Sequence, residues 1–299
     1  MEYVVLDLEW NSAYYKSQGR FLNEIIQIGA VKLDENFDLI DTFQVYIKSQ
    51  IVKKLSNRTI KLTGITNERM SSGTSFRNAV LQYNAWAGDN TVTMTWSTSD
   101  LYAIVENSRI FLDNSLKFSL GSYIDLQSYV QGELKILGHA INSQISLANA
   151  AMLLGISTEG FELHNAKDDS YLCGLMLKKC FNEERFNKII QSTADPSFFE
   201  RLFFRSYYIS NINDKRINKS YLKFTCSHCK SVLNRQNKWK FKNNWLRAEF
   251  LCKSCGIKYR CMVSFKQTFD KVITKQRILP ILTSSEVKDE SVSVVPKKM

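Results

Sequence analysis

Two short motifs, Cys226-Ser227-His228-Cys229 and Cys252-Lys253-Ser254-Cys255, stand 22 residues apart. No other feature restricts the fold of its region so strongly. Each Cys-x-x-Cys pair sets two thiols on one tight knuckle, and two knuckles can close a tetrahedral thiolate shell around a single ion. The spacing predicts a four-cysteine zinc ribbon in a small β-rich unit, with ligands Cys226, Cys229, Cys252 and Cys255. Four thiolates leave no open coordination position, so one structural Zn²⁺ is expected. Disulfides are the rival reading, but nothing indicates export, and thiols inside cells are normally kept reduced. Neither motif sits in the βαβ context of a redox pair. His228 is read as facing solvent or nucleic acid, and Cys173, Cys180 and Cys261 as ordinary thiols.

Charge is concentrated in the same region. Residues 1–190 hold 18 Lys and Arg against 21 Asp and Glu, whereas residues 191–299 hold 22 against 8. Such asymmetry points to a module for polyanions joined to something else. Between the knuckles, Lys238-Trp239-Lys240-Phe241-Lys242 alternates basic and aromatic side chains. A strand there would have the aromatics mostly in the core and Lys238, Lys240 and Lys242 available for phosphates. The ribbon fits a nucleic-acid clamp, and it also fits a protein-docking module.

The remainder reads as α/β. With 299 residues, 44% apolar and 12% aromatic, the chain can build a sizeable core. No run approaches the roughly 18 apolar residues of a membrane span, and the N-terminus lacks a signal pattern, so a soluble cytoplasmic protein is expected. Strands are predicted over Tyr3–Leu8, Ile25–Leu33 and Leu39–Ile47, with another β-rich segment at Thr91–Trp96. Helical spacing marks Ser75–Ala87, Ser146–Leu154 and the stretch after His164 through Leu177. The expected organisation is a domain over 1–182, a polar helical connector over 183–220, the ribbon over 221–265 and an extension over 266–299. The extension ends in a loose tail from about 284. No internal repeat is present.

Within the first strand, Asp7 and Glu9 interrupt an apolar run and share one face. Two like charges there repel and resist burial, and a hard divalent cation would cancel that repulsion. Three further segments accompany them: Trp96-Ser97-Thr98-Ser99-Asp100, His164-Asn165-Ala166-Lys167-Asp168-Asp169, and the strand Glu24-Ile25-Ile26-Gln27-Ile28-Gly29-Ala30-Val31 behind the Asp-x-Glu pair. With Leu62-Thr63-Gly64-Ile65-Thr66, residues 1–180 resemble the DEDDh 3′→5′ exonucleases. These include proofreading exonucleases, oligoribonuclease, RNase T and sporulation-inhibitor-like trimming enzymes.

The resemblance implies an RNase H-like mixed five-stranded sheet flanked by helices. It further implies two Mg²⁺ or Mn²⁺ ions held by Asp7, Glu9, Asp100 and Asp169. In this pattern Asp7 bridges both ions, with Glu9 and Asp169 on the nucleophile side and Asp100 on the second ion. His164, five residues before Asp169, matches the general base, and that spacing favours Asp169 over Asp168. The implied activity is release of nucleoside 5′-monophosphates from single-stranded 3′ ends, tilted towards RNA by similarity to the trimming members. The other class of reading is a non-catalytic binding or adaptor protein on an exonuclease fold, against which all five positions are filled. Trp10 and Asn11 correspond to the terminal-nucleotide pocket, although Trp10 equally fits a residue closing the core edge. Ser97 and Ser99 depart from the pattern, Ser97 standing where relatives often carry glycine.

Overall fold

A computed structural model describes residues 2–281 except 114, 115 and 163. The tail expected from about 284 lies outside the described residues. The chain divides into two compact units, the first ending at Leu202 and the second beginning at Phe203. No helix among the described residues is long and apolar enough to cross a membrane.

The first unit is built on strands β1 (Glu2–Tyr15), β2 (Arg20–Leu33), β3 (Leu39–Tyr46), β4 (Thr91–Thr95), β5 (Ser122–Asp125) and β6 (Gln191–Ser192). Their order in one sheet is β3-β2-β1-β4-β5-β6. The pairs β1–β2, β2–β3 and β5–β6 are antiparallel, and β1–β4 and β4–β5 are parallel. This is the expected mixed, RNase H-like sheet with a two-residue edge strand added beyond the five. A segment so short leaves no alternation to read in sequence.

The helices of this unit are α1 (Asn57–Thr63), α2 (Asn67–Ser71), α3 (Phe76–Ala87), α4 (Ser99–Phe111), α5 (Leu126–Ile136), α6 (Leu147–Leu153), α7 (Ala166–Cys180), α8 (Glu183–Asn187) and α9 (Pro196–Phe203). Two of the predicted helices begin where a serine caps them: the Ser75 side chain accepts from the Asn78 N–H, and Ser146 from the Asn149 N–H.

β1 and β2 are longer than their apolar runs suggest. After Trp10 the alternation continues with Asn11 and Ala13 turned inward and Ser12 and Tyr14 outward, and Tyr14 pairs edge-to-face with Phe21 across the hairpin. Both faces of the sheet are covered. Leu6, Leu8, Ile25 and Ile28 pack with Phe76 and Tyr83 of α3 and Leu101 of α4. Val5, Val31 and Leu33 pack with Leu134 of α5 and Leu172 and Met176 of α7. Each such side chain contributes about 1.5–3 kcal/mol by leaving water.

Two contacts lock the helices that flank the acidic residues. Asn107 of α4 is fully buried; its amide donates to the Asn23 carbonyl and its carbonyl oxygen accepts from the Ile25 N–H. This bond falls at a bulge, where pairing passes from Glu9–Gln27 to Trp10–Ile25 and leaves Ile26 extra. On the opposite face the first turn of α7 lies directly on Gly29. A Cβ there would sit 2.3 Å from the Lys167 nitrogen and 2.4 Å from the Ala166 carbonyl carbon. Ser170 adds a hydroxyl bond to the Gly29 carbonyl at 3.2 Å. Replacing Gly29 with Ala must push the start of α7 off the sheet. Gly29→Ala is expected to cost about 1–3 kcal/mol in urea unfolding; an unchanged midpoint would show that α7 tolerates the shift.

The second unit holds β7 (Tyr207–Tyr208), β8 (Asn234–Arg235), β9 (Lys240–Lys242), β10 (Trp245–Leu251), β11 (Lys258–Gln267) and β12 (Val272–Pro280). Its main path is β12-β11-β10-β8, with β9 on β10 and β7 on β11. Asn243 and Asn244, at φ 50° and 65°, make the tight turn between β9 and β10. One face packs a core of Leu246, Ala248, Phe250, Tyr259, Val263 and Phe265.

Candidate active site

Asp7 and Glu9 lie on the central strand β1, opposite Gly29 and Gln27 of β2. The parallel pairing with β4 covers only Glu2–Val5 of β1, so a cleft opens beside the two acids at the C-terminal end of β4. Asp100 enters that cleft from the first turn of α4. Asp169 enters from the first turn of α7, where a carboxylate also complements the helix dipole.

The turn leading into α4 is set by Ser97, whose φ of 97° is a backbone state natural to glycine. The hydroxyls of Thr95 and Tyr123 both donate to the Ser97 carbonyl, and they hold a conformation that costs a non-glycine residue about 1–3 kcal/mol. The departure from glycine at this position is therefore compensated locally.

His164 is exposed, on a turn with φ 67°, and its backbone N–H donates to Asp169 Oδ2 at 3.0 Å. The other oxygen, Asp169 Oδ1, is buried without a hydrogen-bond partner among the described residues. Asp168 instead serves the loop, accepting from the Glu162 N–H at 3.1 Å. Glu9, His164 and Asp169 offer ligand atoms that all lie within 4.8 Å of one another. Asp7 and Asp100 fall outside that tight group but face it through charge.

The electrostatics follow from burial. Glu9, Asp100 and Asp169 are each less than a tenth exposed. Burial, then the facing Asp100, Glu9 and Asp169 carboxylates, raise Asp7 well above the usual range. Burial and the charges of Asp169 and Asp100 push Glu9 up to about 8. Burial lifts Asp100 to about 7 against the backbone N–H groups of Asp100 and Leu8, which favour its charged form. Burial lifts Asp169 to about 6, opposed by the His164 N–H and the His164 charge. Two unit charges about 5 Å apart repel by about 3 kcal/mol at an effective dielectric near 20. Such a set is stable only when protonated or when cations lie among the oxygens. Oxygen donors alone, one of them unpaired and buried, fit a hard divalent ion.

A family model of exonucleases, of the RNase T type, matches residues 4–175. The chain belongs to the exonuclease family. A PolC-type DNA polymerase III from Mycoplasmopsis pulmonis (strain UAB CTIP) is 26% identical to this exonuclease over 207 residues, covering 68% of the chain and 13% of the polymerase. Among solved structures, the nuclease domain of 3′hExo, a DEDDh family member bound to rAMP, is 20% identical with a TM-score of 0.49. That match covers 59% of this chain and 90% of the other. Cell-death related nuclease 4 is 19% identical at a TM-score of 0.49, covering 74% and 73% of the two chains. Exonuclease I of E. coli in its ssDNA complex is 17% identical at 0.48, covering 62% and 42%.

Two residues beside the acids behave differently from a simple pocket wall. Trp10 is half-buried against the core edge. Asn11 is buried and accepts from the Thr59 hydroxyl at 2.8 Å, tying α1 to β1. Gln27 is a residue of the site that sequence reasoning misses. It is 1% exposed, both polar atoms of its amide lack a partner among the described residues, and its register puts it on the face of Glu9. The available signal is a lone amide inside the apolar run Ile25-Ile26-Gln27-Ile28.

In the second unit, Cys226, Cys229, Cys252 and Cys255 converge within 4.8 Å. Sulfur–sulfur distances of 3.4, 3.6 and 3.8 Å match the edges of a tetrahedron with metal–sulfur bonds of about 2.3 Å and are far too long for disulfides. The two knuckles repeat one geometry: the Lys230 N–H donates to the Cys226 carbonyl at 3.0 Å, and Gly256 to Cys252 at 2.9 Å. Lys230 and Gly256 both have positive φ. The cluster fits zinc. His228 is exposed, and Cys261 is buried in the core.

The folded state holds protons on Glu9, Asp100 and Asp169 that the unfolded chain releases near pH 4. Their stabilising contribution is therefore complete below about pH 4 and is lost as pH rises through about 6 to 8. In chelator, the melting temperature of the first unit is expected to fall across pH 5–8.5, and millimolar Mg²⁺ is expected to restore it at the alkaline end. A melting temperature independent of pH and Mg²⁺ would contradict this electrostatic picture. For the second unit, elemental analysis is expected to return one zinc per chain, and Cys252→Ser is expected to lose the metal and destabilise that unit by several kcal/mol. Full stability of the serine variant would reject a structural metal.

Proposed function

We propose that this chain is a divalent-metal-dependent 3′→5′ exonuclease releasing nucleoside 5′-monophosphates from single-stranded nucleic acid, with RNA favoured over DNA. The observation that carries the reading is the convergence of Glu9, His164 and Asp169 within 4.8 Å, in a cleft where Asp7 and Asp100 add further mutually opposed charge. Asp7, Glu9, Asp100 and Asp169 would hold two ions, Mg²⁺ or Mn²⁺. When bound, such ions neutralise the phosphate and acidify an attacking water. The preference for RNA rests on the likeness of the N-terminal motifs to trimming members.

The side chains of the chain itself would do the following. His164 is tethered to Asp169 through its main chain only, which leaves the imidazole to take the proton of the attacking water. An imidazole can accept a proton at one ring nitrogen and pass it on, which suits a general base. Asp169, beside it, would steady the resulting imidazolium. Attack at the terminal phosphodiester breaks the bond from phosphorus to the 3′-oxygen. That oxygen leaves with the shortened strand, and the phosphate departs on the 5′ side of the released nucleotide. Trp10 would present its uncovered face to the terminal base, while Asn11 holds α1 beside the cleft.

The test is digestion of 5′-labelled single-stranded RNA and DNA of matched sequence with Mg²⁺ or Mn²⁺. Stepwise 3′ shortening with mononucleotide release is expected, faster on RNA. Asp7→Asn is expected to abolish it, and His164→Gln to slow it by about 10²–10⁴-fold. Internal cuts, or activity surviving Asp7→Asn, would contradict the proposal.

A further inference from the structure

The sheet of the second unit has a second face, away from its aromatic core. Residues paired directly across antiparallel strands share a face, so the register assigns its members. Lys242 pairs with Trp245 and Lys240 with Arg247; Arg247 pairs with Met262 and Glu249 with Arg260; Met262 pairs with Arg277 and Ser264 with Lys275. Lys240, Lys242, Arg260, Lys275 and Arg277 are exposed, with Arg247 half-buried at the centre. Glu249 is the one carboxylate on this face among the described residues of β9 to β12.

These cations are also uncommitted. In the first unit, basic side chains such as Arg20, Lys32, Lys178 and Arg185 are engaged by carboxylates. None of the six named has an ion-pair partner among the described residues, and Arg247 Nε is buried without a hydrogen-bond acceptor among them. The Arg277 guanidinium lies 5.1 Å from the centre of the Trp245 ring, a flat cation resting on an aromatic plate. Lys238, just before β9, is exposed as well.

We infer that this face is a binding platform for single-stranded nucleic acid; the inference rests on the exonuclease reading above. Four adjacent strands, spaced by about 4.8 Å, offer an open surface roughly 14 Å across. An open sheet suits a single strand: phosphates meet the rows of lysine and arginine, and bases can stack on the exposed guanidinium plane. Specificity for sequence is not expected from such contacts. Salt sensitivity is, since every phosphate neutralised releases counterions.

The experiment measures binding of a fluorescent 30-nucleotide single strand to the full chain carrying Asp7→Asn, which removes turnover, across a salt series. Lys240→Gln, Lys242→Gln and Lys275→Gln are combined in one protein. Lys135→Gln, Lys179→Gln and Lys188→Gln, three exposed positions of the first unit, are combined in a second protein of equal net charge. The platform triple is expected to weaken binding at least tenfold and to reduce the salt slope by about 2, roughly 0.7 for each phosphate no longer neutralised. The control triple is expected to leave the slope unchanged and the affinity within about twofold. Equal effects of both triples, or no effect of the platform triple, would overturn the inference. Thermal melting of both triples verifies folding. Nucleotide release by the wild-type chain reports on the active-site reading separately: release with an inert platform sinks only this inference.

Discussion

Mutual repulsion among buried carboxylates is the constraint on which the first unit turns. Asp7, Glu9, Asp100 and Asp169 come from one strand and two helices, and burial raises the proton affinity of all four above that of a free carboxylate. The surrounding packing forces them together. Gly29 admits the start of α7 at backbone distance, Asn107 pins α4 across the bulge in β2, and the hydroxyls of Thr95 and Tyr123 fix the turn before Asp100. Local stability is surrendered to shape a charged cleft, and a binding free energy from cations would return it.

The second unit uses a similar logic with different atoms. Four sulfurs gather at tetrahedral separations, and the strands radiating from the knuckles form a sheet with two unlike faces. One face buries aromatics around Tyr259, whose hydroxyl reaches Cys226 Sγ at 3.1 Å. The other displays cations. Part of the charge asymmetry thus falls on one surface, where Lys240, Lys242, Arg247, Arg260, Lys275 and Arg277 lie together.

Much of this is legible in the chain itself, because the relevant signals are local. Asp7 and Glu9 reveal themselves as charges in an apolar strand, Ser75 and Ser146 as helix caps, and the cysteines by their spacing. What stays hidden depends on residues far apart in sequence. Gln27 looks like one polar residue in a strand until its burial and lack of partners are known. Ser97 looks like an ordinary loop serine until its positive φ is seen. α4 escapes sequence reading because Tyr102, Ile104 and Val105 favour strands locally, while packing on β2 makes them helical. In the ribbon, Trp239 joins Phe224 and Phe250 in the core as alternation suggests. Trp245 falls on the basic face, because the Asn243-Asn244 turn restarts the alternation in the return strand.

Counting bound Mn²⁺ by electron paramagnetic resonance tests the central claim most directly, that four repelling carboxylates form one centre for two ions. The wild-type chain is expected to bind two Mn²⁺ beyond any metal held by the cysteines, and Asp7→Asn to lose both together. Independent single-ion binding that survives Asp7→Asn, or no binding at millimolar Mn²⁺, would contradict it.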